Sequence, residues 1–154
     1  MHLAIRHMNK RVQSSEQPIV TMTSGLDQLT RLYGDWRALL RTRANVLVTG
    51  PRHLLEAFGG ACHDDLRQPV GCISTATPLR FHPSASLVII DVHLFDAGAQ
   101  AALAAWMSDA QNVDTQIISL SPEHLFGRVR AGQFDADLYY RLNTIHLRLT
   151  DSDA

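Results

Sequence analysis

Apolar positions fall into two kinds of run along this chain. From Ser24 onward, Leu26, Leu29, Leu32, Trp36, Leu39 and Leu40 recur at three- and four-residue steps, which gathers them on one face of a helix. Ser24 is the expected cap of that helix and Gly34 its expected bend. Short, largely apolar stretches follow at Asn45 to Thr49, Val70 to Ser74, Leu87 to Asp91, Gln116 to Leu120 and Thr144 to Leu149, of which Leu87 to Asp91 is the clearest and Val70 to Ser74 the weaker. Their length and β-branched content predict strands, the first ending at the Gly50-Pro51 turn. Helices are predicted between them at His53 to Cys62, Ala97 to Ser108 and Glu123 to Arg130, with Trp106 and Met107 as packing residues. Strands that are apolar throughout need cover on both faces. The pattern therefore predicts an α/β three-layer sandwich around a mainly parallel, five-stranded sheet.

Residues 1–20 are polar and aperiodic and include Gln13-Ser14-Ser15-Glu16-Gln17-Pro18, which reads as a flexible leader. The α/β domain is expected over 21–150, with 151–154 as a tail. At 154 residues, 45% of them hydrophobic and 19% charged, the chain is long enough for one domain with a substantial core. A net charge of −1 and a pI near 6.7 give no electrostatic footprint for nucleic acid. Only Arg37, Arg41 and Arg43 cluster, so autonomous DNA binding is not expected. Cys62 and Cys72 form no close pair and are expected as small buried residues in a reducing cytoplasm. No apolar run approaches the roughly 20 residues that span a bilayer, and the start lacks a signal-type apolar region.

The closing stretch narrows the picture. Gly132, Phe134, Asp137, Leu138, Tyr139, Tyr140, Arg141, Leu142, Asn143 and Leu147 stand at unbroken spacing in a run similar to G-x-F-R-x-D-L-Y-Y-R-L-N-x-x-x-I-x-L. That run resembles the end of the ATPase core in bacterial sigma-54-dependent transcription activators of the AAA+ class. The resemblance covers roughly residues 24–150 and implies a P-loop NTPase-like sheet, with the family's lid domain absent.

Against that family the nucleotide machinery is altered. A phosphate loop needs glycines whose N–H groups surround phosphates, and a lysine to reach the outer ones. Where the family has a run similar to G-E-S-G-T-G-K-E-L-L, this chain reads Gly50-Pro51-Arg52-His53-Leu54-Leu55, with Arg52 nearest the lysine. Asp91 matches the carboxylate that supports Mg²⁺, but Val92 replaces the glutamate that polarises water and has no acceptor to act as a base. A solvent-facing His93 is expected next to it, with Asp91 held by local N–H groups. Ser121-Pro122 stand where the family often has Thr-Asn, a phosphate sensor. Asp135 replaces the first arginine of the closing motif and Arg141 retains the second. The connection from Ile73 to Leu87 is too short for the family's G-A-F-T-G-A loop, which grips the sigma factor.

The resemblance thus implies a non-hydrolysing domain, not an active ATPase, that acts as a regulatory protein-interaction module in bacterial transcription. Its expected partner is an AAA+ activator or a second copy of itself, through Asp135 and Arg141. Arg141 has an alternative role as the ion-pair partner of Asp137 or another carboxylate. The second functional reading is a sensor of nucleotide or another anion, without hydrolysis, in a remnant cleft near Gly50, Arg52, Asp91 and Arg141. No obligate cofactor is expected, and ATP or another nucleotide would bind only weakly. Cys62-His63-Asp64-Asp65 groups metal-ligating side chains, but no supporting motif completes a site, so no metal is expected. No Gly-x-Ser-x-Gly elbow follows any predicted strand, which removes a serine hydrolase.

Overall fold

The computed structural model describes residues 19–24, 36–75 and 79–151. Its sheet contains β1 (Ile19–Ser24), β2 (Val46–Thr49), β3 (Val70–Ser74), β4 (Ser86–Ile90), β5 (Gln116–Ser121) and β6 (Ile145–Asp151). All six strands are parallel, in the order β1-β6-β2-β5-β4-β3. The five predicted strands are present and β1 is the addition. It takes in Ile19 and Val20, which the sequence pattern places in a leader, and Ser24, which the pattern makes a helix cap. The pairing runs from Ile19↔His146 to Ser24↔Asp151, so the outer edge of β6 supplies β1 with its entire hydrogen-bonding row. Positions Leu26, Leu29, Leu32 and Gly34 lie outside the described residues.

Alternation along each strand divides the core in two. Val46 and Val48, Ile118 and Leu120, and Leu147 and Leu149 point to one face, where they meet helix α1 (36–41) and helix α2 (Arg52–Cys62) through Trp36, Leu55 and Phe58. Trp36 and Phe58 meet edge to face at 4.9 Å. Leu47, Ile73, Leu87, Ile89 and Ile117 point to the other face. There they pack on α3 (Ala97–Ser108), α4 (Leu125–Arg130) and α5 (Ala136–Leu142) through Leu103, Leu125, Leu138 and Leu142. Each of these fully buried leucines contributes about 1.5–3 kcal/mol relative to exposure. This is a three-layer sandwich, and its strands are apolar on both sides because both faces carry helices.

Two side-chain amides, half-buried Asn45 and buried Gln100, fix the helices to the sheet. The Asn45 side chain donates to the Arg141 carbonyl at 2.9 Å and accepts from the Ile117 amide at 2.9 Å, tying the starts of β2 and β5 to the end of α5. Gln100 donates to the carbonyls of Phe95 and Gln133, and its oxygen accepts from the Asp135 amide at 2.8 Å. The segment leading into β4 runs over the α3 face, where Phe81 stacks on Trp106 at 5.6 Å. Trp106 is therefore a packing residue, as its position predicts.

Candidate functional site

The turn from β2 into α2 is only Gly50-Pro51. Gly50 has φ of +152°, and a Cβ there would lie 2.6 Å from the Leu149 carbonyl oxygen, so only glycine lets the chain pass β6 at this point. Pro51 opens the helix, and its carbonyl accepts from the amides of Leu54 and Leu55, both at 3.0 Å. A two-residue turn cannot form a ring of N–H donors around a triphosphate.

Arg52 and Asp91 come together across the ends of β2 and β4, although β5 lies between those strands. The guanidinium reaches both carboxylate oxygens, at 3.2 and 3.4 Å. The Arg52 side chain is 54% exposed and that of Asp91 21%, so the pair sits at the mouth of the cleft with the arginine outermost. Asp91 is thus held by a guanidinium rather than by local N–H groups. It also breaks the strand, with φ 57° and ψ 46° in the left-handed region. That reversal turns the next residues inward: Val92 is fully buried and His93 is 4% exposed, which corrects the expectation of a solvent-facing histidine. Burial holds the His93 imidazole below its ordinary range. Beside Arg52, His53 meets Asp151 at 2.8 Å, with both side chains exposed. The first two residues of α2 therefore each face a carboxylate of the same chain.

Asp135 and Arg141 lie elsewhere. Asp135 caps α5 by accepting from the Leu138 amide at 2.8 Å. Arg141 extends from the last turn of α5 to the Ala104 carbonyl of α3 at 3.4 Å, and among the described residues it meets no carboxylate. Because the Arg141 carbonyl is bonded to Asn45, which precedes β2, Arg141 stands at the opposite end of that strand from Gly50. The cleft that brings together Gly50, Arg52 and Asp91 does not include it.

The Cys62 to Asp65 group disperses. Cys62 is buried, and burial together with the nearby Asp65 pushes its thiol up to about 12. His63 and Asp64 are exposed, and Asp65 pairs with Arg37 at 3.1 Å. Among the described residues no three metal-ligating side chains converge. Cys72 is exposed rather than buried, because β3 stands at the edge of the sheet with no outer neighbour among the described residues. Among the described residues no helix is long and apolar enough to cross a membrane.

Two features escaped sequence reasoning. On the α3–α5 face, His146 is buried and shares a hydrogen bond of 2.6 Å with Thr49. Burial first, then His124 and Arg148, pushes it down to about 4. The sequence gives little hint, because β6 alternates apolar Ile145, Leu147 and Leu149 with polar His146, Arg148 and Thr150, a pattern that reads as a solvent-facing row. The second feature is a hollow of about 230 Å³ beside the Arg52–Asp91 pair, running along α2 past Glu56.

The family model for the Sigma-54 interaction domain matches residues 63–151, more than half of the chain. The chain belongs to that family. The match takes in Asp91, Asp135 and Arg141 and starts beyond Gly50 and Arg52. Three crystal structures of NtrX from Brucella abortus share the fold. The one in complex with ATP is 18% identical with a TM-score of 0.65, covering 84% of this chain and 38% of that one. The one in complex with ADP is 17% identical with a TM-score of 0.64, covering 82% and 36%. A third is 18% identical with a TM-score of 0.63, covering 81% and 37%. The chain thus spans little more than a third of the NtrX chains, and at this identity the likeness is one of fold. No curated protein matches.

Proposed function

We propose that this chain is a regulatory domain of the sigma-54 activator type that senses a nucleotide or another phosphate-bearing anion at the mouth of α2 and does not hydrolyse it. The carrying observation is the Arg52–Asp91 ion pair, at the two positions where the family resemblance puts the phosphate-loop lysine and the Mg²⁺-supporting carboxylate. The exposed guanidinium and the N-terminus of α2 present positive charge at the cleft mouth. Asp91 and Asp151 neutralise it, so an arriving anion competes with the chain's own carboxylates. The affinity is accordingly weak. NtrX, whose structures include complexes with ADP and ATP, supports the nucleotide reading over a purely structural one.

The non-hydrolysing part rests on chemistry. Val92 has no acceptor and is buried away from the cleft, and Pro122 has no donor for a terminal phosphate. The test is calorimetric titration with ATP and ADP beside a phosphate-release assay with Mg²⁺. Saturable binding lost in Arg52→Ala, without turnover, is the expected result; robust protein-dependent turnover refutes it.

A second reading makes the domain a protein-interaction module that meets an AAA+ activator or a second copy through Asp135 and Arg141. The observation in its favour is the pair of exposed rings on the α4–α5 surface, Phe126 at 38% and Tyr140 at 39%. Arg141→Glu in light scattering and pull-down decides it, with circular dichroism to confirm the fold. Unchanged association leaves Arg141 as a tether to α3.

A further inference from the structure

Inward of the Arg52 guanidinium, Glu56 joins Asp91 on the rim of the hollow, so its interior favours a cation over an anion. Its floor is apolar, made by Leu55 of α2, Ile90 at the end of β4 and Leu120 of β5. Its wall is the Gly59-Gly60 stretch of α2. Glycine is a poor helix former, yet two stand together in this helix. A Cβ on Gly60 would meet nothing within 4 Å, and one on Gly59 only the end of Leu120 at 3.8 Å. The helix backbone is therefore bare on this side, a flat surface on which a ring can lie.

The rim carries Asp91, Glu56 and Arg52. That is two carboxylates to one guanidinium, and the guanidinium is already shared with Asp91. Glu56 has no hydrogen-bond or ion-pair partner among the described residues. An anion entering the hollow would face both carboxylates, whereas a cation would find a free one. The volume, about 230 Å³, is below the roughly 300–1,000 Å³ of pockets that enclose drug-sized ligands, which limits the occupant to about one ring with a short arm.

We infer that this hollow is a binding site for a small organic cation, a single planar apolar ring bearing an amine or amidine, with the ring against Gly59-Gly60 and the charged head on Glu56. The site shares Arg52 and Asp91 with the anion-sensing mouth, but its charged contact is Glu56, so it does not rest on that reading.

Benzamidine is the direct probe, with benzoate and benzamide as charge controls of the same shape, followed by amide-resolved NMR titration of the whole chain. Saturable shifts at Gly59, Gly60 and Leu120 with benzamidine are expected, with benzoate silent and benzamide weaker. Glu56→Gln should weaken benzamidine about tenfold, the loss of one charge-assisted hydrogen bond. Gly60→Leu should abolish binding while leaving the protein at least as resistant to heat, since leucine favours the helix and fills only the hollow. The inference is overturned by absence of saturation, by benzoate binding as well as benzamidine, or by undiminished binding in folded Gly60→Leu. Glu56→Gln separates the two proposals: it weakens benzamidine and does not weaken anion binding at the mouth, which Arg52→Ala removes.

Discussion

If Asp91 occupies Arg52 in place of a phosphate, then Asp91→Asn should strengthen anion binding. Asparagine keeps the shape and tolerates the left-handed conformation that Asp91 adopts, so the backbone turn survives. The stability cost is small. A pair with side chains 54% and 21% exposed is screened by water and contributes about 0–1 kcal/mol. The gain in affinity is larger. One negative charge about 5 Å from a phosphate group opposes it by about 0.8 kcal/mol per ligand charge at the dielectric of water. For a dianionic phosphate that becomes about 1.5 kcal/mol, or roughly tenfold in affinity. Calorimetric titration of parent, Asp91→Asn and Arg52→Ala with pyrophosphate and with ATP, at low salt and with and without Mg²⁺, measures the sign. The expected order is Asp91→Asn tightest and Arg52→Ala weakest, with the differences shrinking as salt rises. Had Asp91 the Mg²⁺-supporting role of a working ATPase, Asp91→Asn would weaken binding of Mg·ATP and both variants would move the same way. That result refutes the ion-pair reading.

The fold makes its own demands on the same region. Gly50→Ala should cost about 2–4 kcal/mol in urea unfolding, from a strained φ together with the overlap on the Leu149 carbonyl; a loss below about 0.5 kcal/mol would mean that β6 moves aside freely. Val92→Glu should destabilise the protein by several kcal/mol instead of creating a base, because it buries a carboxylate in the α3–α5 core; a folded Val92→Glu protein that releases phosphate from ATP would overturn this. Stability should fall by roughly 3 kcal/mol as pH drops from about 6.5 to about 4. His146 is held neutral down to about 4 in the folded chain while the unfolded chain takes up its proton near 6.5, and His93 adds in the same direction. Urea unfolding of parent and His146→Gln across that range checks it, and an equally steep fall in the variant would place the titrating group elsewhere.

The strands were legible because sheet strands covered on both faces are largely apolar, as Val46 to Thr49 and Leu87 to Ile90 are, while β5 and β6 keep recurrent Ile and Leu between Ser119, His146 and Arg148. β1 was not, since Ile19–Ser24 is marked as a strand chiefly by the free edge of β6, which lies more than a hundred residues further along the sequence. Asp135 and Leu138 contain the signal for α5, a capping carboxylate three residues ahead of the amide it receives, yet the family motif drew the eye to charge instead of cap. The inward turn of His93 could not be foreseen, because parity along a strand holds only while the strand continues. Asp91 stops it in a conformation that only Gly, Asn and Asp adopt readily. The Arg52–Asp91 contact was also out of reach. Strand order puts β5 between their strands, about 9–10 Å of separation. The family resemblance puts both residues in one cleft and arginine is long enough to close that gap, but the path its side chain takes is not written in the residue types.

The likeness to the sigma-54 activators is densest where the chain packs, and that bears on what the likeness can say. Phe134, Leu138, Tyr139, Leu142, Asn143 and Leu147 of the closing motif are all buried. The Asn143 amide donates to the Tyr139 hydroxyl at 2.8 Å, and Gly132 takes φ of 72° just after α4, which ends that helix. These residues hold α4, α5 and β6 to the sheet whether or not any phosphate is cleaved. The cleft of Gly50, Arg52 and Asp91 lies at the other end of β2, and the closing motif comes near it only through its last residue, Leu149, whose backbone packs against Gly50. Fold and chemistry are therefore physically separable in this domain. The packing motif therefore says nothing by itself of the chemistry at the Arg52–Asp91 cleft, because the sheet between them is held by its own core.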